Sequence, residues 1–102
     1  MKLKYTPEAI RDLQAIREYI GKILHNPKAA RRIVGNIIEQ CESLKEYPKL
    51  GISFRERLDE ETDLRYLVCE KYLAFYRIAE DRIQVIRVLD GRTDYLKVLF
   101  RS

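Results

Sequence analysis

The chain has 102 residues, 46% of them hydrophobic and 35% charged. That length supports one hydrophobic core and leaves no room for a second domain, so residues 1–102 are read as one unit. Twenty Lys and Arg against 16 Asp and Glu give a net charge of +4, a moderate basic excess that favours an anionic partner such as nucleic acid or an acidic protein and says nothing about fold.

Lys2 to Tyr5 alternates polar and apolar side chains, as a short first strand does. Thr6-Pro7-Glu8 then reads as a helix start: a hydroxyl cap, a proline whose missing N–H costs nothing at the first helical position, and a carboxylate near the positive dipole end. Ala9, Ile10, Leu13, Ile16, Ile20, Ile23 and Leu24 recur at steps of three and four, which predicts one apolar stripe. Gly21 weakens this helix by about 1 kcal/mol relative to alanine. Asn26-Pro27 repeats the cap-plus-proline signal after a very short turn, so the second helix runs antiparallel to the first. Its stripe is Ile33, Val34, Ile37, Ile38, Cys41 and Leu44, and Pro48 and Gly51 stop it.

Residues 48–62 are polar and crowded with charges of both signs, the pattern of a connection, with a brief extended piece at Ile52 to Leu58. Three strands follow at Leu64 to Cys69, Tyr72 to Ile78 and Ile83 to Leu89, joined by linkers short enough for hairpins. Tyr95 to Phe100 is amphipathic, with helix and strand both open. The predicted architecture is α+β: a short N-terminal strand and a two-helix antiparallel hairpin packed on one face of a three- to four-stranded, mostly antiparallel sheet.

Each of the three strands carries an arginine, and a guanidinium cannot shed its charge when buried. Alternation puts Arg65 on a face with Leu67 and Cys69, Arg77 with Leu73 and Phe75, and Arg87 with Ile83, Val85 and Leu89. The right register would gather them into a basic patch; otherwise each pairs with a carboxylate such as Glu70, Glu80, Asp90 or Asp94. Tyr72, Phe75 and Tyr76 read as core packing rather than platforms for stacked bases. Cys41 and Cys69 are too few for a disulfide framework and read as reduced core residues. With His25 as the one histidine, neither a metal site nor a Ser-His-Asp triad can be assembled. No apolar run approaches the ~20 residues of a membrane span, and Met1 to Tyr5 lacks a signal peptide's pattern, which points to a cytoplasmic protein.

Three pieces in sequence order carry a resemblance: Tyr5-Thr6-Pro7-Glu8-Ala9-x-x-Asp12-Leu13; Asn26-Pro27-x-Ala29-Ala30 with Leu44-x-x-Tyr47-Pro48-x-x-Gly51; and the run from Leu64-Arg65 through Phe75-Tyr76-Arg77 to Arg87-Val88-Leu89-x-Gly91-Arg92-x-Asp94-Tyr95. From Lys2 to Phe100 the chain resembles the RelE/ParE superfamily of toxins from bacterial type II toxin-antitoxin modules. Its long helical hairpin looks more like the ParE branch.

The resemblance implies a growth inhibitor neutralised by a cognate antitoxin, with no cofactor and no metal. The ParE branch inhibits DNA gyrase by binding. The RelE branch cuts messenger RNA on the ribosome by 2′-hydroxyl attack, which needs a base, cations for the phosphorane and a proton donor. This chain keeps Arg92 and Tyr95 but has Leu73 where the tyrosine-adjacent arginine is expected, and Tyr66 and Leu67 in place of lysines. Losing one oriented cation costs roughly 3 kcal/mol at such a transition state. Gyrase binding is therefore the first reading, with Arg65, Arg77, Arg87, Arg92 and Tyr95 as target contacts and Asp94 orienting Arg92. The ribonuclease reading would use Arg65, Arg92 and Tyr95. A third reading is an inert relic of the family. The implied antitoxin has a partly disordered segment that folds over the hairpin groove or the sheet edge, and the helices suit a homodimer or a heterotetramer with the antitoxin.

Overall fold

A computed structural model of the chain describes residues 1–54 and 63–100. Strand β1 (Lys2–Tyr5) leads into helix α1 (Pro7–Glu18), which closes in a π-turn at Tyr19–Ile23. Helix α2 (Pro27–Glu42) ends in a 3₁₀ turn at Ser43–Lys45. Both helix starts are capped as expected: Thr6 Oγ1 accepts from Ala9 N at 3.0 Å, and Asn26 Oδ1 accepts from Ala29 N at 3.1 Å. Strands β2 (Ile52–Ser53), β3 (Leu64–Cys69), β4 (Tyr72–Ala79) and β5 (Arg82–Asp90) follow, then helix α3 (Tyr95–Leu99). The segment whose type the sequence left open is therefore helical.

The sheet runs in the order β1-β5-β4-β3-β2 and has five strands, one more than the upper expectation. The extra strand is β2, two residues paired antiparallel with Arg65 and Tyr66; the rest of the expected extended piece, 55–58, lies outside the described residues. β1 pairs parallel with β5, Lys2 opposite Arg82 and Tyr5 opposite Val85, and every other pairing is antiparallel.

Each face of the sheet carries its own core. On one face α1 and α2 bury Ala9, Leu13, Ile16, Ile20, Ala30, Ile37, Cys41 and Leu44 against Leu67, Cys69, Tyr72, Ala74, Tyr76, Ile83, Val85 and Val88. On the other, Phe54, Leu64, Tyr66, Phe75 and Leu89 are buried beneath α3, with Tyr95 and Leu99 packed on them. The α1 stripe is shorter than its spacing predicts. The π-turn rotates the end of the helix away from the sheet, leaving Ile23 66% and Leu24 52% exposed.

β5 outruns β1. Beyond Val85 its free edge is covered by α1: Thr6 N donates to Val85 O at 3.0 Å, Thr6 Oγ1 donates to Ile86 O at 2.8 Å, and Asp12 Oδ2 accepts from Val88 N at 2.9 Å. A bulge sits at the same place, since Phe75 faces Arg87 while its neighbour Tyr76 faces Val85. Ile86 is the extra residue, and every side chain of β5 after it changes face.

Candidate functional site

That bulge decides where the arginines go. Arg87 does not share a face with Ile83 and Val85, as uninterrupted alternation requires; it lies opposite Phe75, and its guanidinium turns to α1. Nε stands 2.7 Å from Asp12 Oδ2 and Nη2 3.0 Å from Asp12 Oδ1, a two-point pair that raises the Arg87 pKa further above its ordinary value. Asp12 was not among the expected partners, because it lies 75 residues away in sequence.

Arg65 faces the helices opposite Tyr76, and its Nη1 donates to Gly51 O at 2.9 Å and to Lys49 O at 3.4 Å. Arg77 lies opposite Leu64 on the other face, with Nε 3.2 Å from Asp63 Oδ1. Arg92 is in the turn after β5. Its carboxylate partner is Asp90: the backbone N–H donates at 2.9 Å, Nε at 3.3 Å and Nη2 at 3.4 Å. Asp94 does not orient Arg92 as expected; its carboxylate is 3.9 Å from Lys97. Tyr95 is half-buried in an aromatic cluster, 5.5 Å from Phe75 and 6.2 Å from Phe54 between ring centres. The four arginines thus stand on two faces and a turn, each with its own partner, and form no single patch.

A different grouping lies at the end of the sheet where the β3–β4 turn meets the end of β5. Ala15, Ile16 and Tyr19 of α1 and the π-turn, with Lys71, Tyr72, Asp90 and Arg92, line a groove of about 380 Å³. Lys71 Nζ is 3.7 Å from Asp90 Oδ2, so this carboxylate holds two cations. The hydrogen bonds from Arg92 hold the Asp90 pKa below the usual carboxylate range. Sequence reasoning found Arg92 and named Asp90 as a candidate arginine partner, but missed Tyr19 and Lys71. The signal was available: in an antiparallel meander the β3–β4 turn and the C-terminal end of β5 fall at the same end of the sheet.

Three aromatic residues of β4 and both thiols lie inward. Tyr72, Phe75 and Tyr76 are buried, in line with a packing role. Cys41 and Cys69 are free and buried; burial pushes the Cys41 thiol up to about 12 and the Cys69 thiol up to about 11, so both are protonated and inert at neutral pH. No group of His, Cys, Asp or Glu suited to a metal ion occurs among the described residues, and no helix there is long and apolar enough to cross a membrane.

Residues 3–95 match the family described as the ParE toxin of the type II toxin-antitoxin system, parDE. The chain belongs to this toxin family. It is 33% identical over 84 residues to Toxin RelE2 of Caulobacter vibrioides, a match covering 82% of this chain and 88% of that protein. A solved structure described as the chromosomal ParDE TA system from P. aeruginosa aligns with a TM-score of 0.74 at 29% identity, over 88% of this chain and 95% of that one. Membership of a toxin-antitoxin family implies a cognate antitoxin as partner.

Proposed function

We propose that this ParE-family toxin arrests growth in the cytoplasm by binding DNA gyrase without chemistry of its own, and that its antitoxin relieves the arrest. The observation that supports this reading is that Arg65, Arg92 and Tyr95, which a ribonuclease would use, do not share a face: Arg65 lies on the helix side opposite Tyr76, and Tyr95 packs on Phe75 on the other. A cation offered to a developing phosphorane must have donors free to meet the new charge. Arg65 instead directs Nη1 at the Gly51 carbonyl, and Arg92 directs Nε and Nη2 at Asp90. The one histidine, His25, sits in the turn between the two helices, and both thiols are buried and protonated. Neither thiol is therefore available as a general base for a 2′-hydroxyl. Of the expected contacts, Arg77 and Arg92 keep exposed guanidiniums at separate places on the sheet and its turn, and with Arg65 and Tyr95 they remain the target contacts of this reading, while Arg87 braces α1 against β5.

The experiment compares two assays on the purified toxin. Gyrase supercoiling should be inhibited at near-stoichiometric toxin, and messenger RNA on translating ribosomes should remain intact. Codon-biased cleavage within minutes would establish the alternative, a ribosome-dependent endoribonuclease using Arg65, Arg92 and Tyr95. Full growth on expression without the antitoxin would identify a relic.

A further inference from the structure

The groove at the end of the sheet has a net positive charge and unused donors. Arg92 and Lys71 reach Asp90 from its two oxygens, at 3.3 and 3.7 Å, so two cations face one carboxylate. Glu70 nearby is already matched by Arg32 at 3.2 Å. Lys71 also stands 5.5 Å from the centre of the Tyr72 ring, and the Arg92 side chain remains 85% exposed. The phenols of Tyr19 and Tyr72 both lie within electrostatic reach of Arg92, and neither hydroxyl has a hydrogen-bond partner within the described residues. Four donor side chains therefore converge beside an apolar wall of Ala15 and Ile16.

We propose that this groove receives a single carboxylate side chain, flanked by an apolar residue, on an acidic segment of the cognate antitoxin. One negative charge restores neutrality around Lys71, Asp90 and Arg92, and the apolar neighbour covers Ala15 and Ile16. A phosphate group fits less well. It carries nearly twice the charge and binds best to clustered backbone N–H groups, which are already engaged here: Gly91 N donates to Lys71 O at 2.8 Å, Arg92 N to Asp90 Oδ1 at 2.9 Å and Thr93 N to Asp90 O at 2.9 Å. Occupation would also cover Arg92, one of the proposed target contacts. The proposal rests on the toxin-antitoxin reading and is independent of which target the toxin attacks.

The test uses the full-length cognate antitoxin, with the dissociation constant of the complex measured by titration calorimetry in the absence of any target. Arg92→Ala should weaken the complex by about tenfold or more, and Lys71→Ala and the double variant Tyr19→Phe, Tyr72→Phe by several-fold, with a loss that shrinks at high salt. Arg82→Ala, at the far end of β5, removes the same charge and should change binding by less than about twofold. The phenol-to-phenyl double variant keeps the packing, so it remains informative if either charge variant folds poorly. Affinities within twofold of wild type for Arg92→Ala, Lys71→Ala and the double variant would overturn the proposal. So would competition by inorganic phosphate at millimolar concentration, which would mark a general anion site. Absence of any complex with the wild-type toxin would remove the toxin-antitoxin reading itself, and a normal complex with no gyrase inhibition would remove only the target.

Discussion

The buried Tyr76 hydroxyl accepts a hydrogen bond from Gly51 N at 2.8 Å, under a backbone so close that a Cβ on Gly51 would lie 2.6 Å from both the hydroxyl oxygen and ring carbon Cε1. The same hydroxyl donates to Pro48 O at 2.7 Å, so one side chain of β4 anchors residues 48–51 after α2. Gly51 is thus kept small by close approach rather than by an unusual backbone angle.

Gly51→Ala is expected to destabilise the fold by about 2–3 kcal/mol, because the added methyl also meets Tyr66 O at 2.8 Å and neither a buried ring nor a backbone carbonyl can give way cheaply. The check is the urea midpoint of the variant against wild type at equal denaturant slope.

Asp12→Ala should cost about 2–3 kcal/mol, since it strands the Val88 N–H and leaves the Arg87 guanidinium, whose side chain is only 30% exposed, without its carboxylate. Asp12→Asn keeps an acceptor for one of those donors and should cost less. The ranking Ala worse than Asn, read from chemical unfolding, tests whether this side chain seals the free edge of β5.

Asp90 predicts an acid-side effect. Its folded-state pKa is lowered below 3.8, so the stabilisation from its cations is present at neutral pH and is lost as the pH falls below 3.8 through the folded value. Asp90→Asn should therefore be less stable than wild type at pH 7, and the gap should close in strong acid. Unfolding midpoints at the two extremes decide it.

The two thiols predict the opposite side. Their folded pKa values are raised from 9.0 to about 12 and about 11, so the unfolded chain releases these protons first and stability falls as the pH climbs above 9. Iodoacetamide at pH 8 should label the native protein no faster than it unfolds. A Cys41→Ala, Cys69→Ala variant should show a shallower loss of stability in alkali.

The elements specified by neighbours in sequence were legible from the chain. Thr6-Pro7 and Asn26-Pro27 start helices because a side-chain oxygen three residues before a free N–H is a local fact. Arg87 was not legible in the same way: its face depends on a bulge opposite Phe75 and Tyr76, and its partner comes from the first helix. α3 was ambiguous because its five residues gain their conformation by covering Phe54 and Phe75 on the second face. The two-residue strand β2 has too little pattern to read; it exists because β3 offers an edge at Arg65 and Tyr66.

The pairing of β1 with β5 has a consequence for synthesis. Thr6 cannot meet its acceptor on Ile86 until 80 further residues have been made, and the central strand order cannot close before then. A chain still emerging from the ribosome holds both helix sequences early but lacks the finished sheet against which they pack. The five-stranded order therefore closes only once β5 has been made, long after β1 and the two helices.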